Sequence, residues 1–272
     1  MKRIAMGCVG LAASLAALPG LAEDRPFFST DWTVAKPLTS APYAPAGSTD
    51  GEGFVRVAQG EVFMASRLLP PSAARLVADL KDNKGKLVFA AGTELFGLKI
   101  AGQRIYCSVE QRNPSLMPSM LFGSRGFGHT CLIDSNSDGA FEGQFTAKGQ
   151  IKGLPNFMDR VPKKPKPVSA LRYVEMDPAA MQTVFFVGVE YRANNNLVGN
   201  EIFDLVYGTA EKKGKLTQRM SIKGKTVPAS LEVMGGRFTL QGSANDVALI
   251  RVDRPFPAQS FGVQQTVTFN YY

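Results

Sequence analysis

The sequence predicts a mainly β protein, an antiparallel β-sandwich or a barrel-like fold with few short helices. Three observations predict it: short runs rich in Val, Phe and Tyr, turn residues such as NNN, KKGK and GG between them, and the close, repeated spacing of the runs. The predicted strands are FGLKI, RIYCSVE, HTCLI, TVFFVGVEY, EIFDLVY, SLEVM, RFTLQ, DVALIRV and TVTFNYY. One large domain and two small β domains are both compatible with this pattern.

The first 22 residues have the layout of a secretory signal peptide. Lys2 and Arg3 precede an apolar stretch over 4–18, and Ala22 supplies the small residue before a cleavage point. The stretch is shorter than the roughly 20 residues of a membrane-spanning helix, and no later apolar run reaches that length. We therefore expect an exported protein, periplasmic or associated with the cell envelope, with no transmembrane helix after cleavage.

Residues 23–50 are rich in proline and lack a clear period, which predicts an extended lead-in or tether. An N-terminal β domain is expected over 51–160. In it, the segments 74–80 and 86–95 flank DNKG, a sequence typical of a hairpin turn. The first segment also fits a helical stripe, and the strand is the preferred interpretation.

The stretch VPKKPKPV, residues 161–168, suits a linker between two folding units or a long exposed loop within one domain. A basic β domain is expected over 169–272. It includes the hairpin SLEVM-GG-RFTLQ at 230–241 and, at DPAAM (177–181), a short helical turn with an Asp cap and Pro at its first position.

Cleavage of the signal leaves two cysteines, Cys107 and Cys131, for which an oxidising compartment favours a disulfide. The net charge is zero over 23–150 and +6 over 151–272, so the excess basic charge lies in the C-terminal half. Such a bias attracts anionic surfaces. In an exported protein the candidate partner is lipid, lipopolysaccharide or cell-wall polymer, and nucleic acid is not expected. The alternative is that the lysines only keep exposed turns soluble.

The segment CLIDSNSDGAFEG, 131–143, is the most chemically specific stretch of the chain. Its oxygen-bearing positions alternate and precede a glycine, the pattern in which a chain wraps a hard cation. The predicted calcium ligands are Asp134, Asn136, Asp138, the Ala140 carbonyl and Glu142.

This short stretch resembles the D-x-[DN]-x-D-G loops of EF-hands and dockerin-type modules, and the resemblance implies a calcium ion. Phe145 stands where an EF-hand has its bidentate glutamate, and the flanks look like strands rather than helices. Incomplete ligation predicts weak binding and a structural role. The alternative is an Asx-type turn in which Asp134 and Asn136 bind their own backbone.

Several chemistries have little support in the sequence. The only histidine, His129, has no G-x-S-x-G partner motif, and a multi-histidine zinc site is excluded by count, so no catalytic residue is assigned. A pair of distant carboxylates, as in a periplasmic hydrolase, remains an alternative. The aromatic end TVTFNYY, 266–272, offers the further alternative of an outer-membrane-associated β protein. The first expectation is a non-catalytic binding or structural module.

Overall fold

The fold is mainly β, as predicted. The computed structural model describes residues 25–45, 52–82, 84–112, 128–148, 153–195, 199–223 and 226–263. The strands are β1 Phe27–Ser29, β2 Trp32–Pro37, β3 Val55–Ala58, β4 Val62–Leu69, β5 Ala73–Leu76, β6 Leu80–Lys81, β7 Leu87–Phe89, β8 Glu94–Gly97, β9 Lys99–Ile100, β10 Arg104–Arg112, β11 Gly128–Asp134, β12 Ala140–Lys148, β13 Met158–Arg160, β14 Lys166–Met176, β15 Phe185–Asn195, β16 Asn200–Gly208, β17 Lys213–Lys223, β18 Ala229–Val233, β19 Gly236–Ala244, β20 Val247–Arg254 and β21 Gln259–Phe261.

Six strands form a closed antiparallel barrel in the order β10-β11-β12-β14-β5-β8. Its interior is a separate apolar cluster that includes Leu95, Tyr106, Leu132, Phe141 and Tyr173. Strand β11 is buried along its whole length, because its second face packs against the main core of the molecule. The barrel therefore has a filled interior and an outer wall that is covered along β11.

The remaining large sheets are a six-stranded sheet, β17-β16-β15-β4-β2-β21, and a four-stranded sheet, β18-β19-β20-β3. Phe63 of β4, Phe203 of β16 and Phe238 of β19 meet with ring centroids 4.9 to 6.0 Å apart. Because these rings come from both sheets, they form the centre of a sandwich. Sandwich and barrel, the two predicted architectures, thus both occur in one chain.

The expected tether contains ordered structure at 27–37, and the prediction is corrected for these residues. Trp32 is 2% exposed, and its indole nitrogen donates a hydrogen bond to the Pro155 carbonyl at 2.9 Å. Its ring lies 4.8 Å from Phe185 and 5.8 Å from Phe96. The prolines of this segment concealed two strands, β1 and β2, whose alternate side chains are buried in the core. Strand β2 pairs with β4 and β21.

The segment 161–168 does not divide the sheets in the way a linker would. Strand β14 includes its last residues and lies in the barrel, between β12 and β5. Strands β3 and β4, from the expected N-terminal domain, pair with β20 and β15 of the expected C-terminal domain. Long-range pairing therefore joins the two halves.

Most local predictions are confirmed. The turn after β6 is closed by Asp82, whose carboxylate accepts the backbone N–H groups of Lys84 and Lys86 at 2.9 Å. The segment 73–76 is a strand, not a helix. The hairpin β18–β19 turns at Met234 and Gly235, both with positive φ, and a 3₁₀ turn at Pro178–Ala180 is capped by Asp177.

Two sequence predictions lie outside the described residues: the signal peptide at 1–22 and the aromatic strand at 266–272. No helix in the described part has the length and hydropathy of a membrane span.

Candidate functional site

The predicted metal loop lies at one end of the barrel, as the turn between β11 and β12. Both flanks are strands, so the loop lacks the helices of an EF-hand. Ser137 and Gly139 have φ of 60° and 86°, and the glycine allows the chain to reverse before β12 without a Cβ penalty. Phe141, the next core residue, is fully buried and stacks on Tyr173 at 4.3 Å.

Asp134 is the structural centre of the loop. Its side chain is fully buried, and its carboxylate accepts the N–H of Asp138 at 3.2 Å and the N–H of Gly139 at 3.0 Å. The Tyr173 hydroxyl donates to the same carboxylate at 2.7 Å. Burial and this hydrogen bond raise the pKa of Tyr173, so its hydroxyl remains a donor. Asp134 therefore binds the backbone of its own loop, as the alternative interpretation expects, although at residues four and five ahead rather than two.

Asn136 and Asp138 bind each other as well as the backbone. The Asn136 amide donates to Asp138 at 3.0 Å and accepts the Asp138 N–H at 3.1 Å. Asp138 also accepts the N–H of Ala140, the first residue of β12, at 2.9 Å. These bonds hold the turn in one conformation without using every lone pair of the Asp138 carboxylate.

Glu142 brings a third carboxylate to the loop from β12. Its Oε2 accepts the backbone N–H of Ser135 at 3.0 Å and the Ser135 hydroxyl at 3.1 Å. Its Oε1 is buried and has no hydrogen-bond partner among the described residues. Oxygens of Asp134, Asp138 and Glu142 lie within 4.8 Å of one another, so three of the five predicted ligands come together.

The predicted disulfide between Cys107 and Cys131 is present. The two cysteines are directly opposite each other on β10 and β11, and both are fully buried in the main core. The bridge therefore fixes the pairing of two barrel strands three residues before Asp134.

The segment 212–225 is rich in lysine and arginine, and several of these side chains form ion pairs. Glu190 on β15 and Asp204 on β16 face each other, with side chains only 3% and 4% exposed. The cations that surround these carboxylates are Arg192, Lys213, Lys215 and Arg219. Because the two carboxylates offset part of this charge within the sheet, these lysines are a poorer docking surface than their sequence suggested.

This charge cluster predicts acid sensitivity. Burial raises the pKa of Glu190, but hydrogen bonds and charges from Lys213 and Lys215 outweigh it, and the net pKa is lowered. A lowered pKa in the folded state stabilises the protein above the unfolded value of about 4.3, and this contribution is lost as the pH falls below it. We expect urea unfolding to show a smaller loss of stability between pH 5 and pH 3 in Glu190→Gln than in the wild type. Parallel pH profiles would contradict this.

Another basic surface covers the outer face of the four-stranded sheet. Arg237, Arg251 and Arg254 line a cleft of about 810 Å³ together with Ser230 and Thr239. Arg251 pairs with Asp253 at 2.8 Å and lies 4.8 Å above the Phe54 ring, while Arg254 pairs with Glu232 at 3.2 Å. These arginines retain side-chain exposures of 42% and 57%, and their planar groups suit phosphate and carboxylate. The sequence showed that the C-terminal half is basic, but not that three of its arginines lie on one face of a sheet.

The only histidine is buried rather than exposed. His129 on β11 is 1% exposed, and it lines a cleft of about 510 Å³ between the barrel and the six-stranded sheet. Glu110 and Glu211 line the same cleft. Sequence spacing could not reveal this site, because its residues come from distant segments.

Comparisons with known proteins add no assignment. A scan against protein-family models, a search of curated proteins and a search of solved structures each found no match to this chain.

Proposed function

We propose that this is an exported envelope protein and a non-catalytic binding module, in which the loop 134–142 holds a structural calcium ion. The observation that carries the calcium site is the cluster of Asp134, Asp138 and Glu142 with a buried Glu142 oxygen that lacks a partner. Calcium prefers carboxylate and carbonyl oxygens and tolerates irregular geometry. Asn136 and the Ala140 carbonyl are the neighbouring groups that would complete the shell.

The disulfide supports export, because such bonds form and persist in oxidising compartments. It also supports the calcium proposal, because a loop that is already held between paired strands loses less conformational freedom when it binds an ion. Reduction of Cys107–Cys131 would then weaken calcium binding, and equal affinities before and after reduction would rule out this coupling.

Calorimetric titration with calcium chloride is the direct test. We expect a dissociation constant of about 10⁻⁴ to 10⁻³ M, as in weak extracellular sites. At about 10 mM calcium the folded state then gains about 1.4 kcal/mol or more in unfolding experiments. Glu142→Gln removes one charge from the cluster and is expected to weaken binding by roughly tenfold. Glu211→Gln is the matched control, since it removes the same charge elsewhere. No heat and no stabilisation in the wild type would contradict the proposal.

The same proposal assigns an anionic surface of the envelope, such as lipid, lipopolysaccharide or cell-wall polymer, to the arginine face of Arg237, Arg251 and Arg254. The observation in its favour is an arginine-lined cleft on an exposed sheet face, in which paired Arg251 and Arg254 retain side-chain exposures of 42% and 57%. Guanidinium groups bind phosphate and carboxylate with two parallel hydrogen bonds.

Sedimentation with phosphatidylglycerol vesicles tests this surface. We expect binding at low salt that decreases at high salt, because the attraction between exposed charges is screened. Arg237→Gln is expected to weaken it severalfold, whereas Lys99→Gln, an equal charge change on another sheet, leaves it nearly unchanged. No sedimentation at low salt, or equal effects of the two variants, would remove the arginine face from the proposal.

A further inference from the structure

The cleft beside His129 has the size and composition of a ligand site. Its volume of about 510 Å³ falls within the roughly 300 to 1,000 Å³ of small-molecule sites. A second cleft of about 410 Å³ shares Glu110 and Thr183 with it, so the two are neighbours along one surface. Both belong to the junction between the barrel and the six-stranded sheet, away from the calcium loop.

The tautomer of His129 follows from its partner. Its Nδ1 lies 2.6 Å from the Ser108 carbonyl oxygen, which can only accept a hydrogen bond, so Nδ1 carries the proton. Burial lowers the pKa of His129, the hydrogen bond to the Ser108 carbonyl raises it, and the positive charge of Lys212 lowers it again, so the net pKa is lowered and the neutral ring is favoured. Its Nε2 then has a lone pair and accepts hydrogen bonds.

This Nε2 is buried and has no partner among the described residues. The ring is held in place by aromatic neighbours, with Phe157 at 5.6 Å and Phe96 at 5.8 Å. A buried acceptor without a donor costs free energy. A ligand that brings a donor to this position recovers that cost.

The other groups of the cleft restrict the ligand further. Glu110 and Glu211 are acceptors, Thr183 and Thr209 offer hydroxyl groups, and Phe185 provides an aromatic surface. The cleft therefore offers several acceptors, at which ligand O–H groups would find partners. Lys212 opposes a cation close to the ring, and Glu110 and Glu211 oppose an anion, which together favour a neutral ligand.

We propose that this cleft binds a neutral, hydroxyl-bearing ligand of the size of a sugar unit, one of whose O–H groups donates to His129 Nε2. The site extends the proposed binding role and is independent of the calcium loop. A failure here leaves the calcium proposal standing, and a failure of the calcium titration leaves this one standing.

The experiment uses nitrogen NMR of the imidazole, since His129 is the only histidine and its two ring signals need no assignment by mutation. The probes are glucose, galactose and N-acetylglucosamine, each added to about 10 mM, which reveals millimolar dissociation constants. We expect the free protein to show protonated Nδ1 and unprotonated Nε2. At least one sugar should then shift the Nε2 signal in a saturable way, by more than the Nδ1 signal.

Two controls separate recognition of a hydroxyl group from general binding. A fully O-methylated glucose has no O–H donor and should leave Nε2 unchanged. His129→Phe keeps a ring between Phe96 and Phe157, removes the acceptor and is expected to weaken binding of the responding sugar by roughly tenfold. Tryptophan fluorescence, available from Trp32, measures affinity for the variant.

Three results would overturn the proposal. The first is that none of the three sugars shifts the Nε2 signal, as expected when a bound water alone occupies that position. The second is that the methylated sugar shifts Nε2 as much as the free sugar does. The third is that His129→Phe binds the sugar with unchanged affinity. The wild-type titration decides the matter even when the variant does not fold.

Discussion

Replacing both cysteines, as Cys107→Ala/Cys131→Ala, is expected to lower the free energy of unfolding by about 3 to 4 kcal/mol. The bridge closes a segment with a sequence separation of 24, and a cross-link of this length removes that much chain entropy from the unfolded state. Both sulfurs are also buried in the main core, so truncation adds a packing loss. Urea unfolding measures the change directly, and the melting temperature should fall by roughly 10 °C.

The single variants provide the control for this prediction. A cross-link is lost as soon as either cysteine is replaced, so Cys107→Ala and Cys131→Ala should each come close to the double variant. A double variant within about 1 kcal/mol of the wild type would show that the bridge does not constrain the unfolded chain.

Asp134→Ala is expected to be comparably damaging, with a loss of about 3 to 5 kcal/mol. Its carboxylate is the common acceptor for the N–H of Asp138, the N–H of Gly139 and the hydroxyl of Tyr173, and the site is fully buried. The Asp138 N–H keeps Asn136 as an acceptor, whereas the Gly139 N–H and the Tyr173 hydroxyl lose theirs. Each donor left without a partner costs about 1 to 3 kcal/mol. Unfolding should be measured in excess chelator, so that the result reports the fold and not the ion.

Tyr173→Phe is the matched control for Asp134. It removes one of the three donors and preserves the ring that stacks on Phe141, so its expected cost is about 1.5 kcal/mol. A cost as large as that of Asp134→Ala would show that the stabilisation by Asp134 comes mainly from its bond to the Tyr173 hydroxyl rather than from its bonds to the turn. A near-neutral Asp134→Ala would contradict the role assigned to the carboxylate.

Local chemistry made much of the fold predictable. The hairpins at 82–85 and 234–235 depend on residues that favour tight turns, and the strands of β15, β16 and β20 are rich in Val, Phe and Ile. What the sequence concealed was long-range. Strand β2 contributes Trp32 to the core, although its prolines suggested a tether, and β3 and β4 pair with strands more than 100 residues away.

In the candidate site, too, the local features were predictable from the sequence and the long-range contacts were not. The residues of the loop 134–142 are close in sequence, so their grouping was predictable from spacing. Tyr173, which donates to Asp134 from β14, two strands away in the barrel, had no local signal. The same holds for the pairing of Lys213 and Lys215 with Glu190, since charge counts do not show which carboxylates a lysine meets.

The barrel connects the disulfide to the loop 134–142. Strand β11 carries Cys131 and His129 toward the main core and ends in Asp134 at the loop. Cross-strand pairing, the disulfide and the Asp134 bonds thus hold one strand at three places. A rigid strand of this kind positions a loop more accurately than a free turn does.

A crystal structure of the protein grown with calcium tests the central claim most directly. The account predicts one ion at the turn between β11 and β12, with oxygens of Asp134, Asp138 and Glu142 about 2.3 to 2.6 Å from it. It also predicts that Glu142 Oε1, without a partner in the described structure, becomes a ligand. A loop that holds only water at saturating calcium, with the Asp134 turn unchanged, would contradict it.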